Sequence, residues 1–191
     1  EIEIDRLGNH IGKQDQYAVA YGGFHRYRFN ADETVFVDPV ICRPEMKEAL
    51  QSNLMFFYTN MTHISSHILA EQKENIPQKM RNLDRMVEMS CEAERLLQQN
   101  ALDDFGALLD EAWKLKRELA SGVSVPEIDE MYAAARKAGA LGGKILGAGG
   151  GGFMMLYVPE NARQSVREAM RRYREQTVSL EPEGSKIIYV R

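Results

Sequence analysis

Lys144-Ile145-Leu146-Gly147-Ala148-Gly149-Gly150-Gly151-Gly152-Phe153-Met154-Met155-Leu156-Tyr157-Val158 sets six small residues between two apolar runs. Short apolar runs bounded by glycine read as buried strands, so this stretch predicts strand, loop, strand. A plain hairpin needs only about two loop residues, and this loop is longer. A loop almost without side chains can turn its N–H groups inward into an anion-binding concavity. Any β-carbon there would block close approach of a phosphate. The bland alternatives are a flexible linker or a simple turn, but a linker would have polar flanks and these flanks are apolar. No Lys-Ser/Thr follows the glycines, as a Walker loop requires, and a strand rather than a helix comes next, unlike a dinucleotide fingerprint.

Outward from the loop, the spacing alternates between helix and strand. Ser124-Val125-Pro126-Glu127 has the capping-box pattern for a helix that Gly139 would close. Met80, Leu83, Val87, Cys91 and Leu97, then Leu102, Phe105, Leu109, Ala112, Trp113 and Leu119, recur at helical spacing. Leu54–Thr59 reads as a buried strand, with Pro39 and Pro44 bracketing a loop before it. Phe24, Arg26 and Arg28, then Val35 and Val37, flank the polar turn Asn30-Ala31-Asp32-Glu33 as a hairpin. Residues 1–22 predict a short helical stretch, a turn at Gly8-Asn9-His10 and a helix from near Gly12, with Ile11, Tyr17, Ala18 and Val19 on one buried face and Gly22-Gly23 at its end. After the loop come a polar helix over Asn161–Arg174 and a closing strand over Lys186–Val190. The order predicts an α+β fold, an antiparallel sheet with helices on one face.

The chain has 191 residues, 44% hydrophobic and 27% charged, an ordinary globular balance. A formal net charge of −4 and a pI of about 5.7 argue against a nucleic-acid surface. No apolar run approaches the roughly 20 residues that span a bilayer. The charged opening Glu1–Arg6 is expected not to be a signal peptide, so a cytoplasmic location is expected. Without an initiating Met, the chain reads as a piece of a longer protein. Cys42 and Cys91 are too few for a disulfide framework and read as buried, reduced thiols. His63 and His67 stand four apart but lack a third ligand nearby, so no metal site is expected there.

Gly12-Lys13-Gln14-Asp15-Gln16-Tyr17 is the second stretch with chemistry in it. Phosphoryl transfer to a hydroxyl needs a positioned carboxylate and nearby positive charge. Asp15 falls in a helix first turn close to Lys13, where the helix N-terminus and the ammonium both favour its ionised form. A first-turn Asp is also a routine device for stabilising the helix dipole. Arg26 and Arg28 share a strand face and could meet a phosphate or simply be solvated.

Gly12–Ala18 followed by Gly22-Gly23 resembles the catalytic helix of the GHMP kinases, the superfamily of galactokinase, homoserine kinase and mevalonate kinase. Lys144–Gly151 resembles that superfamily's third, glycine-rich motif, while the Gly12–Tyr17 run and Leu141-Gly142-Gly143-Lys144 are most similar to the branch acting on D-glycero-D-manno-heptose 7-phosphate. The resemblance implies a ferredoxin-like C-terminal domain over residues 44–191, preceded over 1–43 by the end of the N-terminal kinase domain. It implies a kinase using ATP and Mg²⁺ on a sugar phosphate, at its anomeric hydroxyl, in nucleotide-activated heptose synthesis. Fucokinase, galactokinase and mevalonate-type activities are the alternatives, and a non-catalytic interaction domain is a third. Asp15 would be the catalytic base and Lys13 a nearby charge. Gly147, Ala148, Gly149, Gly150 and Gly151 would support the phosphate site, and Gly22, Gly23 and Arg28 would approach the sugar. Partners would be small molecules, not nucleic acid or membrane, with a homo-oligomer left open. The ATP-cradling loop and the acidic Mg²⁺ ligand would lie before Glu1, so this stretch alone is expected to be inert.

Overall fold

The computed structural model describes residues 4, 6–8, 11–62 and 65–189. The order is α1 (Gln14–Tyr21), β1 (His25–Phe29), β2 (Val35–Pro39), α2 (Pro44–Asn53), β3 (Leu54–Tyr58), α3 (Ser65–Gln98), α4 (Leu102–Arg117), α5 (Pro126–Lys137), β4 (Gly142–Ile145), β5 (Phe153–Tyr157), a 3-10 turn (Glu160–Ala162), α6 (Arg163–Ala169) and β6 (Arg174–Gln176). β1 and β2 form a separate hairpin, while the main sheet runs β4-β5-β3-β6 with every pair antiparallel. This is the expected α+β architecture with ferredoxin-like strand order.

The core follows from strand alternation. Met55 pairs with Leu156 and Phe57 with Met154, and Ile145 extends that row, so all five point to one face. There they pack with Trp113 of α4, Ile128, Met131 and Ala135 of α5, Val166 of α6 and Met170 just past its end. Burying each large apolar side chain contributes about 1.5–3 kcal/mol. Tyr157 emerges on the opposite face and packs with Met46 and Leu50 of α2 and Leu97 of α3. α4 runs along β4 at one sheet edge, and the contact is backbone to backbone. A β-carbon on Gly142 would overlap the Gly106 carbonyl, and one on Gly106 would overlap the Tyr157 ring.

Several local expectations need correction. Pro39 and Pro44 do bracket a loop over 40–43, but Pro44 also opens α2, a helix the sequence reading did not include, where its missing N–H would have no helical partner anyway. Ser124 does not cap α5; Val125 is the N-cap residue, and the Ser124 hydroxyl donates to the Asp129 carboxylate at 2.6 Å. The other end is as expected. Gly139 has φ 111°, and the bonds Gly139 N–H to Arg136 and Ala140 N–H to Ala135 close α5 in a Schellman arrangement. The helix expected over Asn161–Arg174 breaks after Ala169, and the chain turns back to pair β6 with β3. Residues 186–189 form no strand; Ile187, Ile188 and Tyr189 lie exposed and join neither sheet, and β6 is the strand beside β3. α1 has no buried residue, and Ala18 and Val19 face outward. Cys42 is half-buried, but Cys91 is exposed on α3 and accepts from Arg26 at 3.6 Å. Asn9, His10, His63 and Val190 lie outside the described residues.

Candidate active-site cavity

The glycine loop is held from two sides. Gly150 N–H donates to the Val123 carbonyl at 3.0 Å and Gly152 N–H to the Met61 carbonyl at 3.0 Å. The Gly152 carbonyl accepts from both the N–H and the hydroxyl of Thr59, each at 2.9 Å. A β-carbon on Gly149 would run into the Val123 backbone at 2.7 Å, and one on Gly151 into the Met61 carbonyl at 2.5 Å. The later glycines therefore serve close packing against two neighbouring loops. Among the described residues, nothing accepts from the N–H of Gly147, Ala148, Gly149 or Gly151; of these, Gly149 and Gly151 are packed against backbone while Gly147 meets open space.

Gly147 and Ala148 line a cavity of about 840 Å³ whose opposite wall is α1, through Gln14, Asp15, Gln16 and Val19. Asp15 stands in the first turn of α1, as its sequence position predicted. The other walls are Leu69, Gln72 and Met86 of α3, Lys116 of α4, Leu119, and Lys144 of β4. An adjoining apolar cavity of about 440 Å³ shares Ile11, Leu69, Gln72 and Leu119 with it. Gln72 also donates to the Ala148 carbonyl at 3.3 Å and so ties α3 to the loop.

Two lysines give the cavity its charge. Strand alternation turns Lys144, beside Met155, away from the main core and into the cavity. Lys116 reaches over from α4, donating to the Gly147 carbonyl at 2.5 Å and the Ile145 carbonyl at 3.4 Å. Burial, with the Lys144 charge beside it, pushes the Lys116 ammonium down to about 8. Burial also holds Lys144 below the usual lysine range. Both effects disfavour the charged form of an amine.

The remaining expected site residues lie elsewhere. Lys13 is the N-cap residue of α1 and stands 4.0 Å from Glu33, outside the cavity lining. Arg28 pairs with Asp38 at 3.5 Å and stacks over Phe36. Gly22 and Gly23 meet the C-terminal segment: Gly23 N–H donates to Glu181, and a β-carbon on Gly22 would overlap the Glu183 backbone. Sequence reasoning gave Lys116 and Lys144 no role. Lys144 did carry a signal, as the one charged residue in an otherwise apolar strand; Lys116 did not, since basic residues in a helix's last turn are common. Among the described residues, no group of three His, Cys, Asp or Glu side chains gathers to hold a metal ion.

Comparison with known proteins places this geometry. Residues 93–176 match the family described as GHMP kinases C terminal. Over 175 residues the chain is 30% identical to a Campylobacter jejuni protein named D-glycero-alpha-D-manno-heptose 7-phosphate kinase, covering 90% of this chain and 51% of that one. The chain thus spans about half the length of that relative. Among solved structures, a Bacteroides thetaiotaomicron D-glycero-D-manno-heptose 1-phosphate kinase matches with a TM-score of 0.70 at 24% identity, over 99% of this chain and 53% of that one. A Lactococcus lactis galactokinase complexed with galactose matches with a TM-score of 0.67 at 20% identity, over 96% and 58%. These two likenesses speak for the fold. The family match and the sequence similarity to the Campylobacter jejuni protein identify residues 93–176 of this chain as a GHMP kinase C-terminal domain.

Proposed function

We propose that the full-length protein transfers the γ-phosphoryl group of ATP to a sugar hydroxyl, with the anomeric hydroxyl of D-glycero-D-manno-heptose 7-phosphate as acceptor. The observation that carries this reading is the meeting of Asp15 with Gly147 and Ala148, far apart in sequence, across one cavity. The similarity to the Campylobacter jejuni heptose 7-phosphate kinase supports the choice of sugar.

In the proposed step the Asp15 carboxylate accepts the proton of the sugar hydroxyl. The hydroxyl oxygen then forms its bond to the γ-phosphorus, and ADP leaves with the electrons of the broken P–O bond. A positioned carboxylate suits this role because little else must be supplied besides alignment and charge stabilisation. The N–H groups of Gly147 and Ala148, unpartnered among the described residues, would donate to the oxygens on which charge collects. Lys13 would add longer-range positive charge at the start of α1. We retain the division at residues 43 and 44 between the end of one domain and the beginning of the next.

The test is ATP-dependent phosphorylation by the full-length protein against a panel of heptose 7-phosphate, fucose, galactose and mevalonate. Asp15→Asn should lower kcat by roughly 10²–10⁴-fold, the usual worth of a general base, with little change in KM. Near-normal kcat in that variant would remove Asp15 from the role. A preference for another panel member would overturn the sugar assignment.

A further inference from the structure

The geometry points to the Lys116–Lys144 pair as a phosphate-binding subsite, built on the first turn of the glycine loop and facing Asp15 across the cavity. The site deepens the kinase reading, and rests on it for which phosphate the subsite receives, but not for whether a phosphate binds.

Four observations converge. Both lysines line the same cavity as Gly147, Ala148 and Asp15. Lys144 has no hydrogen-bond or ion-pair partner among the described residues. No carboxylate there lies within ion-pair distance of Lys116 either; its bonds go to two backbone carbonyls. In contrast Lys114, two residues earlier on α4, is paired with Asp110 at 2.6 Å. Two half-buried ammonium groups set side by side without a counter-charge repel one another and lose solvation, which costs stability unless an anion completes the site.

The chemistry suits a tetrahedral anion better than a carboxylate. Lys144 supplies a free three-donor ammonium. Lys116 keeps a donor to spare while anchoring the strand end at Ile145 and the loop start at Gly147. The unpartnered N–H groups of Gly147 and Ala148 add two neutral donors on a neighbouring side. A phosphate held by these groups has enough acceptor oxygens for all of them. Asp15, a carboxylate on the far wall, disfavours an anion next to α1 and so biases the phosphate toward the lysine side. The same chemistry serves the terminal phosphate of a nucleotide or the phosphate already carried by a sugar.

The experiment uses the full-length protein and inorganic phosphate as the probe, without turnover. Lysine Nζ and Cε resonances are followed by NMR through a pH titration, with and without phosphate. Saturating phosphate should raise the titration midpoints of Lys116 and Lys144 and leave exposed lysines unmoved; no change at either would overturn the proposal. Calorimetry should show phosphate affinity weakened tenfold or more in Lys144→Met and largely kept in Lys144→Arg. Wild-type affinity in Lys144→Met would also overturn it. Kinetics of the same variants then separate the sources. A rise in KM for ATP alone assigns the nucleotide's phosphate, and a rise in KM for the sugar phosphate alone assigns the substrate's own. Phosphate binding at the lysines without phosphoryl transfer would sink the kinase reading and leave the subsite standing. Transfer with KM, kcat and phosphate affinity all untouched by Lys144→Met would do the reverse.

Discussion

The Tyr132 hydroxyl donates to the Asp110 carboxylate at 2.7 Å, joining α5 to α4 at a point where Lys114 and Arg136 meet the same carboxylate. Burial pushes the Asp110 carboxyl up, but the hydrogen bonds from Lys114 and Tyr132 and the Arg136 charge outweigh it and hold the group below its usual range. Tyr132→Phe should cost about 1.5–3 kcal/mol in urea unfolding at pH 7, the usual worth of a hydrogen bond to a charged group. A carboxyl whose folded pKa is depressed stabilises above its unfolded value and loses that contribution as pH falls. The difference between wild type and Tyr132→Phe should therefore shrink as the urea series is repeated toward pH 3.

Gly142→Ala tests the α4–β4 contact. The new methyl would overlap the Gly106 carbonyl, and neither backbone can yield without opening the edge of the sheet. A loss of about 1–3 kcal/mol is expected, as for other overpacked sites. Thermal unfolding reads it directly. Gly147→Ala, where a β-carbon meets open space but φ is 70°, should cost less.

The Lys116 ammonium, pushed down to about 8 from a usual 10.5, gives a pH dependence of definite sign. Between those values the unfolded chain binds the proton more tightly than the folded one, so folding stability rises with pH. Above about 10 the trend reverses, because tyrosines ionise there in the unfolded chain, while burial holds Tyr157 up at about 12 in the folded protein. The melting temperature of ligand-free wild type should climb from pH 8 to 10, and Lys116→Met should flatten that climb. A flat wild-type profile would contradict the buried placement of this lysine.

Gly22→Ala should loosen α1 without touching the main sheet. Its φ is 60°, and its β-carbon would occupy the backbone of Glu183 and Gly184. Faster amide exchange is expected in residues 14–23, with β3, β4 and β5 as protected as before. Accelerated exchange throughout the sheet would show that the contact matters to the whole fold.

What the sequence disclosed and withheld has a physical pattern. Leu54–Thr59 and Phe153–Val158 were legible because a short apolar aromatic run has few alternatives to a central strand. The Schellman end at Gly139 was legible for a similar reason, since glycine there accepts a left-handed conformation. α2 was missed because Pro44 signals both a loop and a helix start, and only packing of Met46 and Leu50 under Tyr157 decides between them. Ile187-Ile188-Tyr189 resembles a strand in composition, but composition alone does not supply the pairing partner a strand needs, and the segment joins neither sheet. Asp15 and the glycine loop were visible as motifs. The lysine pair was not, because it arises only when β4's outward face, the end of α4 and the loop converge in space.

The bonds between α1 and the C-terminal segment, Gly23 to Glu181 and Ser185 to Val19, have a consequence for the order of events during synthesis. An eight-residue helix with no buried side chain does not hold its place alone. Residues 14–21 leave the ribosome well before the backbone that clasps them, which follows some 160 positions later. The sheet and its helices can assemble first, as locally connected units do. The wall bearing Asp15 is then fixed last, so the cavity is complete only after residues 181–185 have emerged.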